Sequence, residues 1–139
     1  RGGEAICRPD PGWDAYYTTL LPDAAKYQTV RNREFAQKLY QLGDDPASPR
    51  RVSFHCHFPR EADGLAFAGQ ALEKGFAVGA TRFEPARELP YEVVLHKVSD
   101  IAAKNIDALT TRAIRLAQEQ GGELSGWDCP VIPRGKVFR

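Results

Sequence analysis

The sequence contains no methionine among its 139 residues and only three cysteines, Cys7, Cys56 and Cys129. Because methionine is missing, we expect that the chain as given does not begin at an initiator residue, either as a trimmed fragment or as a chain without its flanking residues. The cysteines are odd in number, lie far apart and form no Cys-x-x-Cys pair, so they do not match the disulfide framework of a small secreted protein. We therefore expect reduced thiols and a cytoplasmic protein.

Long apolar runs and an excess of charge are also missing. No stretch of about 18 apolar residues occurs, so the sequence predicts no membrane-spanning helix, and its first residues lack the apolar core of a signal peptide. Nineteen Lys and Arg stand against 18 Asp and Glu, a net charge of +1. Such a balance gives no field for non-specific capture of nucleic acid or anionic membranes. A hydrophobic fraction of 42% is typical of one globular domain at this length.

The N-terminal third predicts a strand and a helix. Aromatic and β-branched residues over 13–20, beginning with Trp13, favour a short strand. Asn32 is a suitable N-cap for a helix over 33–42, and Gly43 a suitable stop. We expect this strand and helix either to cover one face of the main sheet or to extend one of its edges.

The remaining sequence predicts strand, helix, strand, strand, helix and strand. Residues 52–58 alternate apolar and polar side chains, the period of a strand with one buried face. A helix follows Pro59, strands cover 76–83 and 91–98, and a second helix runs through Ile106 to Gly121-Gly122. The last strand, 123–132, contains Gly126 and Pro130, which predicts an edge position or a bulge. The first helix places its apolar stripe at Leu65, Ala68, Gly69 and Leu72, and Phe67 and Ala71 widen it.

This order predicts an α+β fold, the ferredoxin-like βαββαβ sandwich with an N-terminal strand and helix extension. Right-handed crossovers would place the first and third strands side by side in the centre, with both helices on one face. We divide the chain into the extension 1–43, the domain 44–132 and a tail 133–139.

The three histidines are the first candidates for chemistry. His55 and His57 alternate with the core positions of their strand, and His96 lies on the strand predicted beside it. Three imidazoles on one sheet face could ligate zinc, but the spacing is no recognised ligand signature. We interpret them as polar residues of an open sheet face, and keep metal or ligand binding by this face as an alternative.

Other constellations do not assemble an active site. Cys129 has no base or helix N-terminus beside it in sequence, and the glycine-rich pieces lack the residues of a phosphate loop. The open sheet positions offer imidazoles rather than the aromatic rings on which RNA bases stack, since Phe54 and Phe58 are predicted to face the core. The sequence therefore predicts no catalytic residues, no cofactor and no direct binding of nucleic acid.

Several motifs lie between residues 43 and 132. They are Gly43-Asp44-Asp45, Val52-Ser53-Phe54-His55-Cys56-His57-Phe58-Pro59, Leu72-Glu73-Lys74-Gly75-Phe76, Ile106-Asp107-Ala108-Leu109-Thr110, and Gly121-Gly122 running on to Gly126-Trp127-Asp128-Cys129-Pro130. Together they resemble the ribonuclease E inhibitor proteins of the regulator of ribonuclease activity B family. The segment Trp13-Asp14-Ala15-Tyr16-Tyr17 is similar to a module often found ahead of this domain.

The resemblance implies a ferredoxin-like domain without a cofactor, which binds an endoribonuclease or its scaffold and lowers RNA cleavage. Trp127 and Gly126 are then structural, with the indole sealing one end of the core and the glycine letting the backbone bend around it. The candidate partner-binding residues are Trp13 and Tyr16 with His55, His57 and His96. The best-known members are strongly acidic, whereas this chain is nearly neutral, so that electrostatic attraction to a basic partner is missing. A generic interaction module is the remaining alternative.

Overall fold

The computed structural model describes residues 21–134, which form three helices and a four-stranded sheet. In chain order these are α1 (Leu21–Gln41), β1 (Arg50–Phe58), α2 (Glu61–Glu73), β2 (Ala77–Phe83), β3 (Tyr91–Ser99), α3 (Ala103–Glu119) and β4 (Glu123–Asp128). The α+β class is confirmed. The strand predicted over residues 13–20, with Trp13 and Tyr16, lies outside the described residues. Within 21–134, no helix has the length and apolar character needed to cross a membrane.

The sheet has the strand order β2-β3-β1-β4, and each neighbouring pair is antiparallel. The prediction that the first and third strands are central neighbours is confirmed. The last strand lies at an edge and contains a bulge, because its register with β1 shifts between His55 and Cys56. β4 ends at Asp128 rather than at Ile132, since Pro130 has no N–H to donate to a sheet ladder.

One face of the sheet forms the core. Val52, Phe54, Cys56 and Phe58 of β1 are fully buried there, and α2 and α3 contact each other and this sheet. Phe54 meets Phe76 edge-on at 5.8 Å between ring centroids, and Phe58 lies 4.6 Å from Phe67. The period-2 pattern of β1 thus corresponds to a strand with one face in the core, where Phe54 and Phe58 lie.

The predicted start of the N-terminal helix is wrong. α1 begins at Leu21, and Asn32 is a buried residue in its middle rather than an N-cap. Pro22 lies in the first turn, where its missing N–H is tolerated. α1 packs on α3, with Leu39 in the core cluster, so the expectation that this helix covers the other sheet face or extends an edge is also wrong.

The apolar stripe predicted for α2 is right at Phe67 and Ala71 and wrong at the two leucines. Gly64, Phe67 and Ala71 are its buried residues, whereas Leu65 and Leu72 face outward and are exposed. A methyl group on Gly64 would lie 3.1 Å from Val93, so the glycine lets α2 approach the sheet closely. The side of α2 that carries its two leucines is therefore not the side that packs on the sheet.

The segment between α1 and β1 is organised by a buried ion pair. Asp44 Oδ1 accepts a hydrogen bond of 2.6 Å from Arg50 Nη1 and one of 2.8 Å from the Ile132 backbone N–H. Both side chains are buried, and Arg50 also donates to the carbonyl oxygens of Ser48, Asp45 and Pro130. The turns between α1 and β1 are thus fixed to the segment that follows β4. The division of the chain at residues 43 and 132 stays a prediction.

Candidate functional site

The sheet face opposite the helices carries the candidate site. Ser53, His55 and His57 of β1 project from it, and they stand opposite His96, Val94 and Glu92 of β3 respectively. Directly opposed residues of an antiparallel pair lie on the same face, so the structure brings the three histidines to one side. Asp128 of β4 stands opposite Ser53 on that face. We call this surface the histidine face.

His55 lies between two carboxylates at the centre of this face. Its Nδ1 is 3.2 Å from Glu92 Oε2, and its Nε2 is 2.7 Å from Asp128 Oδ2. Glu92 is nearly buried, and its other oxygen lies 3.1 Å from Arg82 Nη2, which also contacts Glu84 at 2.8 Å. His55 therefore belongs to a network of polar contacts that runs from β4 through β1 and β3 to β2.

His57 is buried although it lies on the face without helices. Its Nε2 is 3.0 Å from Ser125 Oγ, and the Ser125 hydroxyl donates its proton to the His55 carbonyl oxygen. Since a serine hydroxyl has one proton, Nε2 must carry the hydrogen of the neutral ring. Nδ1 is then an acceptor, buried and without a hydrogen-bond partner among the described residues. A second proton on this ring would have no acceptor.

The environment of His57 lowers its pKa. Burial, which disfavours the imidazolium ion, is the largest cause, and Arg87 and His55 act in the same direction, whereas Glu92 and Glu84 oppose it. Burial, Arg51 and His55 also lower the pKa of His96, against the opposite influence of Asp128. Both rings are therefore held in the neutral form more firmly than a free histidine.

We expect the free energy of unfolding to fall on mild acidification. In the unfolded chain these histidines titrate near pH 6.5, while in the folded chain they bind a proton only at lower pH. Stability is therefore fully present above about pH 6.5 and is lost as the pH falls through the lowered pKa values. Urea titrations between about pH 7 and 5.5 measure this slope. The variant His57→Gln should flatten it, and an unchanged slope would contradict the assignment.

His96 is fixed in a different way. Its Nδ1 is 2.9 Å from Ser53 Oγ, and its ring lies over Gly79 of β2, where a methyl group would collide with the imidazole. The register of β2 with β3 shifts between Val78 and Thr81, which indicates a bulge beside Gly79. The glycine therefore makes room for the ring on the histidine face.

The metal alternative gains no support from this geometry. In the stretch from Leu21 to Arg134, no group of three or more His, Cys, Asp and Glu side chains is arranged to hold a metal ion. His57 and His96 each use one ring nitrogen on a serine hydroxyl, and His55 has a carboxylate at both nitrogens. The three imidazoles share a face, but they do not converge on one point.

The histidine face also lacks the exposed aromatic rings on which RNA bases stack. The central strands β1 and β3 present no Phe, Tyr or Trp from the open positions described above, because Phe54 and Phe58 are fully buried on the other side.

Cys129 is also unsuited to act as a nucleophile. Burial raises the pKa of its thiol, and this effect exceeds the opposite influence of Arg50, whose Nη1 lies 3.8 Å from the sulfur. The sequence did not predict that Arg50 lies beside Cys129, because the two residues are 79 positions apart in the chain.

The most specific motifs meet at Asn32 rather than at the histidine face. Trp127 Nε1 donates to Asn32 Oδ1 at 2.7 Å, and Asn32 Nδ2 donates to Asp107 Oδ1 and Thr110 Oγ1 at 3.0 and 3.1 Å. Gln28 also donates to Asn32 Oδ1, and Arg33 forms an ion pair with Asp107. Every polar atom of the buried Asn32 amide is thus used, and the motif residues 106–110 and 126–127 join α3 and β4 to α1.

Gly126 precedes Trp127 in β4, where the three elements joined by the Asn32 cluster meet. It pairs with His55 at the bulge of β4, and a side chain there would meet nothing within 4 Å. The glycine is therefore required by no close contact. Its structural assignment rests on the bend of the strand and stays a prediction.

The comparison with family models decides the relationship. The model of the regulator of ribonuclease activity B family matches residues 30–129. The chain belongs to this family. The matched segment begins within α1, just before Asn32, and ends just after Trp127, so it includes the polar cluster that joins α1, α3 and β4 except for Gln28. A comparison with curated proteins found no match.

Membership in the family changes how the two clusters are interpreted. Among the residues of the motifs that resemble the family, Asp107, Thr110 and Trp127 belong to the Asn32 cluster, and Asp44 pairs with Arg50. Both clusters join elements of the described fold. The sequence analysis missed Glu92 and Asp128, which hold His55 on the histidine face. The alternation of β3 and β4 residues was the signal that could have found both, once the register with β1 was known.

Proposed function

We propose that this chain regulates RNA decay by binding an endoribonuclease of the ribonuclease E type, or its scaffold, and lowering its cleavage of RNA. The family match over residues 30–129 is the observation that carries this proposal. It agrees with a described chain whose most elaborate polar clusters stabilise the fold. On this proposal the protein acts without catalysis. Its free thiols, Cys56 and Cys129, accord with a place in the cytoplasm.

The histidine face is the surface we assign to the partner, together with Trp13 and Tyr16 of the N-terminal segment. Asp128 and Arg82 are 62% and 63% exposed, and His55 is 31% exposed. These groups are held in place by one another, and pre-ordered side chains lose less entropy on binding. Because the face carries both signs of charge, the partner must present a complementary pattern rather than uniform basic charge.

The ferredoxin-like arrangement is part of the same proposal. It is supported by the order β2-β3-β1-β4, by the antiparallel pairing of every neighbour, and by the contact of α2 and α3 with each other. In that arrangement one sheet face remains without helices. That face is the histidine face.

An affinity capture experiment tests the partner. The immobilised chain is exposed to lysate of its source organism, with and without added ribonuclease, and the bound proteins are identified by mass spectrometry. We expect a ribonuclease E-type nuclease in both samples, because the contact is between proteins. Its recovery only without added ribonuclease would show an RNA bridge, and recovery of other proteins alone would leave a generic interaction module.

Two charge reversals test the surface. Asp128→Lys places a cation beside His55 on the histidine face, whereas Glu119→Lys makes the same change on the exposed side of α3. We expect the first variant to weaken nuclease binding by about tenfold or more and the second to leave it unchanged. Equal affinities of both variants would contradict the assignment of this face.

A further inference from the structure

Glu92 is shared between two histidines of the histidine face. Its Oε2 lies 3.2 Å from His55 Nδ1 and 3.7 Å from His57 Nε2, while its Oε1 lies 3.1 Å from Arg82 Nη2. The first distance is that of a hydrogen bond and the second is too long for one. The side chains of Glu92 and His57 are 8% and 3% exposed, whereas that of His55 is 31% exposed. One nearly buried carboxylate thus joins a buried imidazole to the exposed imidazole at the centre of the face.

The two imidazoles differ in what a second proton would meet. At His55 a carboxylate oxygen faces each ring nitrogen, Glu92 at Nδ1 and Asp128 at Nε2, so both contacts become charge-assisted in the imidazolium form. At His57 the Nε2 hydrogen is donated to Ser125, and Nδ1 is buried without a partner among residues 21–134. A proton on that Nδ1 would be a buried donor without an acceptor, which costs free energy. The His57 cation is therefore relieved only when its ring or a neighbouring carboxylate moves.

Charged and titratable groups surround His57 from every strand of the sheet. They are His55 on its own strand, Glu92 on β3, Arg82 on β2 beside Glu92, Glu84 and Arg87 in the connection between β2 and β3, and Glu123 opposite on β4. Within residues 21–134, only Glu92 brings a carboxylate oxygen within 4 Å of a His57 nitrogen. Because the attraction between charges falls with distance, a positive charge on His57 acts most strongly on Glu92.

Attraction between a His57 cation and Glu92 competes with the hydrogen bond to His55. Both rings approach the same carboxylate oxygen, so a shift of Oε2 towards His57 weakens its contact with His55 Nδ1. His55 then keeps its contact with Asp128, a side chain that is itself 62% exposed. The central ring of the histidine face would lose one of the two groups that fix its position.

We propose that His57 and Glu92 make the histidine face a proton-controlled surface, in which protonation of His57 draws Glu92 from His55 and releases the ring that the partner contacts. This inference rests on the proposed function, and it adds the condition under which the partner surface is formed. His57 is a positioning residue, because it is buried and acts through Glu92. A proton on His55 has the opposite effect, since both of its carboxylate contacts are kept.

A nuclear magnetic resonance titration of the whole chain tests this coupling without a partner. The ¹⁵N shifts of the imidazole nitrogens report the protonation and tautomer of each histidine between about pH 7.5 and 5. We expect the His55 shifts to change at the midpoint of His57 as well as at their own, because Glu92 moves. His57→Gln and Glu92→Gln should each abolish this additional change. His96→Gln is the matched control and should keep it, because it removes a ring of the same face that is held by Ser53.

Two outcomes of the titration would overturn the proposal. The first is a His55 signal that does not respond at the His57 midpoint. The second is an additional change that survives His57→Gln, because it would come from another group such as Glu123, whose pKa is raised by burial. Glu92→Gln keeps the test decisive if His57→Gln does not fold.

The effect on binding is measured with the ribonuclease E-type nuclease at about pH 7 and 5.5. Burial lowers the pKa of His57 below its ordinary value of 6.5, so the cation forms towards the lower pH. We expect the dissociation constant to rise about threefold to tenfold there, and His57→Gln to remove the rise. An unchanged constant, or a rise that persists in His57→Gln, would overturn the proposal. Absence of binding at both pH values would contradict the proposed function, while the His55 response still decides whether the face is proton-controlled.

Discussion

Replacing Trp127 by alanine is expected to lower the free energy of unfolding by about 3–5 kcal/mol. The indole is buried in the core cluster, and Phe35 of α1 meets it edge-on at 4.8 Å between ring centroids. Its removal leaves a cavity where α1, α3 and β4 meet and removes the hydrogen bond to Asn32. Urea unfolding followed by far-ultraviolet circular dichroism measures the change.

The variant Trp127→Phe separates the two contributions of this side chain. It keeps an aromatic ring in the core but removes the Nε1–H, so that Asn32 Oδ1 retains only the hydrogen bond from Gln28. We expect a smaller loss, of about 1–2 kcal/mol from the hydrogen bond with part of the packing retained. A loss below about 1 kcal/mol in the alanine variant would mean that the indole does not carry this corner of the core.

Replacing Asp44 by alanine is expected to cost about 3–5 kcal/mol, because it leaves the guanidinium of Arg50 buried without a counter-charge. The carboxylate also accepts the backbone N–H of Ile132, so the segment after β4 loses an anchor. The same denaturant titration measures this loss, and the m-value shows whether the native state stays intact.

Asp45 provides the matched control for this prediction. Among residues 21–134, its carboxylate accepts hydrogen bonds from the Ala47 N–H and the Ser48 hydroxyl, both within its own turn. Asp45→Ala should therefore cost about 1 kcal/mol. Equal losses at Asp44 and Asp45 would show that burial of the Asp44–Arg50 pair does not govern the stability of this linker.

The strands were predictable from sequence because their signal is local. Alternation over residues 52–58 fixed which side of β1 is buried, and the same pattern placed His55 and His57 on the opposite side. Pro130 and Gly126 indicated an edge strand with a bulge, and β4 has both features. In each of these cases neighbouring residues alone determine the outcome.

Asn32 shows where local reasoning failed. An asparagine ahead of an apolar-periodic segment is a typical N-cap, yet its amide is used by Trp127, 95 residues away in sequence. The tertiary hydrogen bonds place Asn32 within a longer helix. No local pattern reports that interaction.

The packed side of α2 was predicted only in part, for another reason. Apolar residues occur on all sides of this helix, so helical periodicity could not identify the side that packs on the sheet. The choice is made by size, since Gly64 and Ala71 let the helix approach the sheet while Phe67 fills the core. The leucines, which sequence reasoning assigned to the core, are left on the surface.

Only the histidines of the histidine face could be predicted from the sequence. The three histidines were found from alternation, whereas the carboxylates that hold His55 come from β3 and β4. Their proximity depends on the strand register, and the β4 register includes a bulge whose position the sequence did not specify. The residues that complete the face were therefore missed for lack of register rather than for lack of polarity.

The central claim, that this chain restrains a ribonuclease by direct contact, is tested most directly by a reconstituted cleavage assay. A purified ribonuclease E-type nuclease acts on a defined RNA while the concentration of the chain is raised. We predict that the initial rate falls and levels off, that Asp128→Lys needs a higher concentration for the same fall, and that Glu119→Lys behaves like the unmodified chain. A rate that stays constant at every concentration of the chain would contradict the claim.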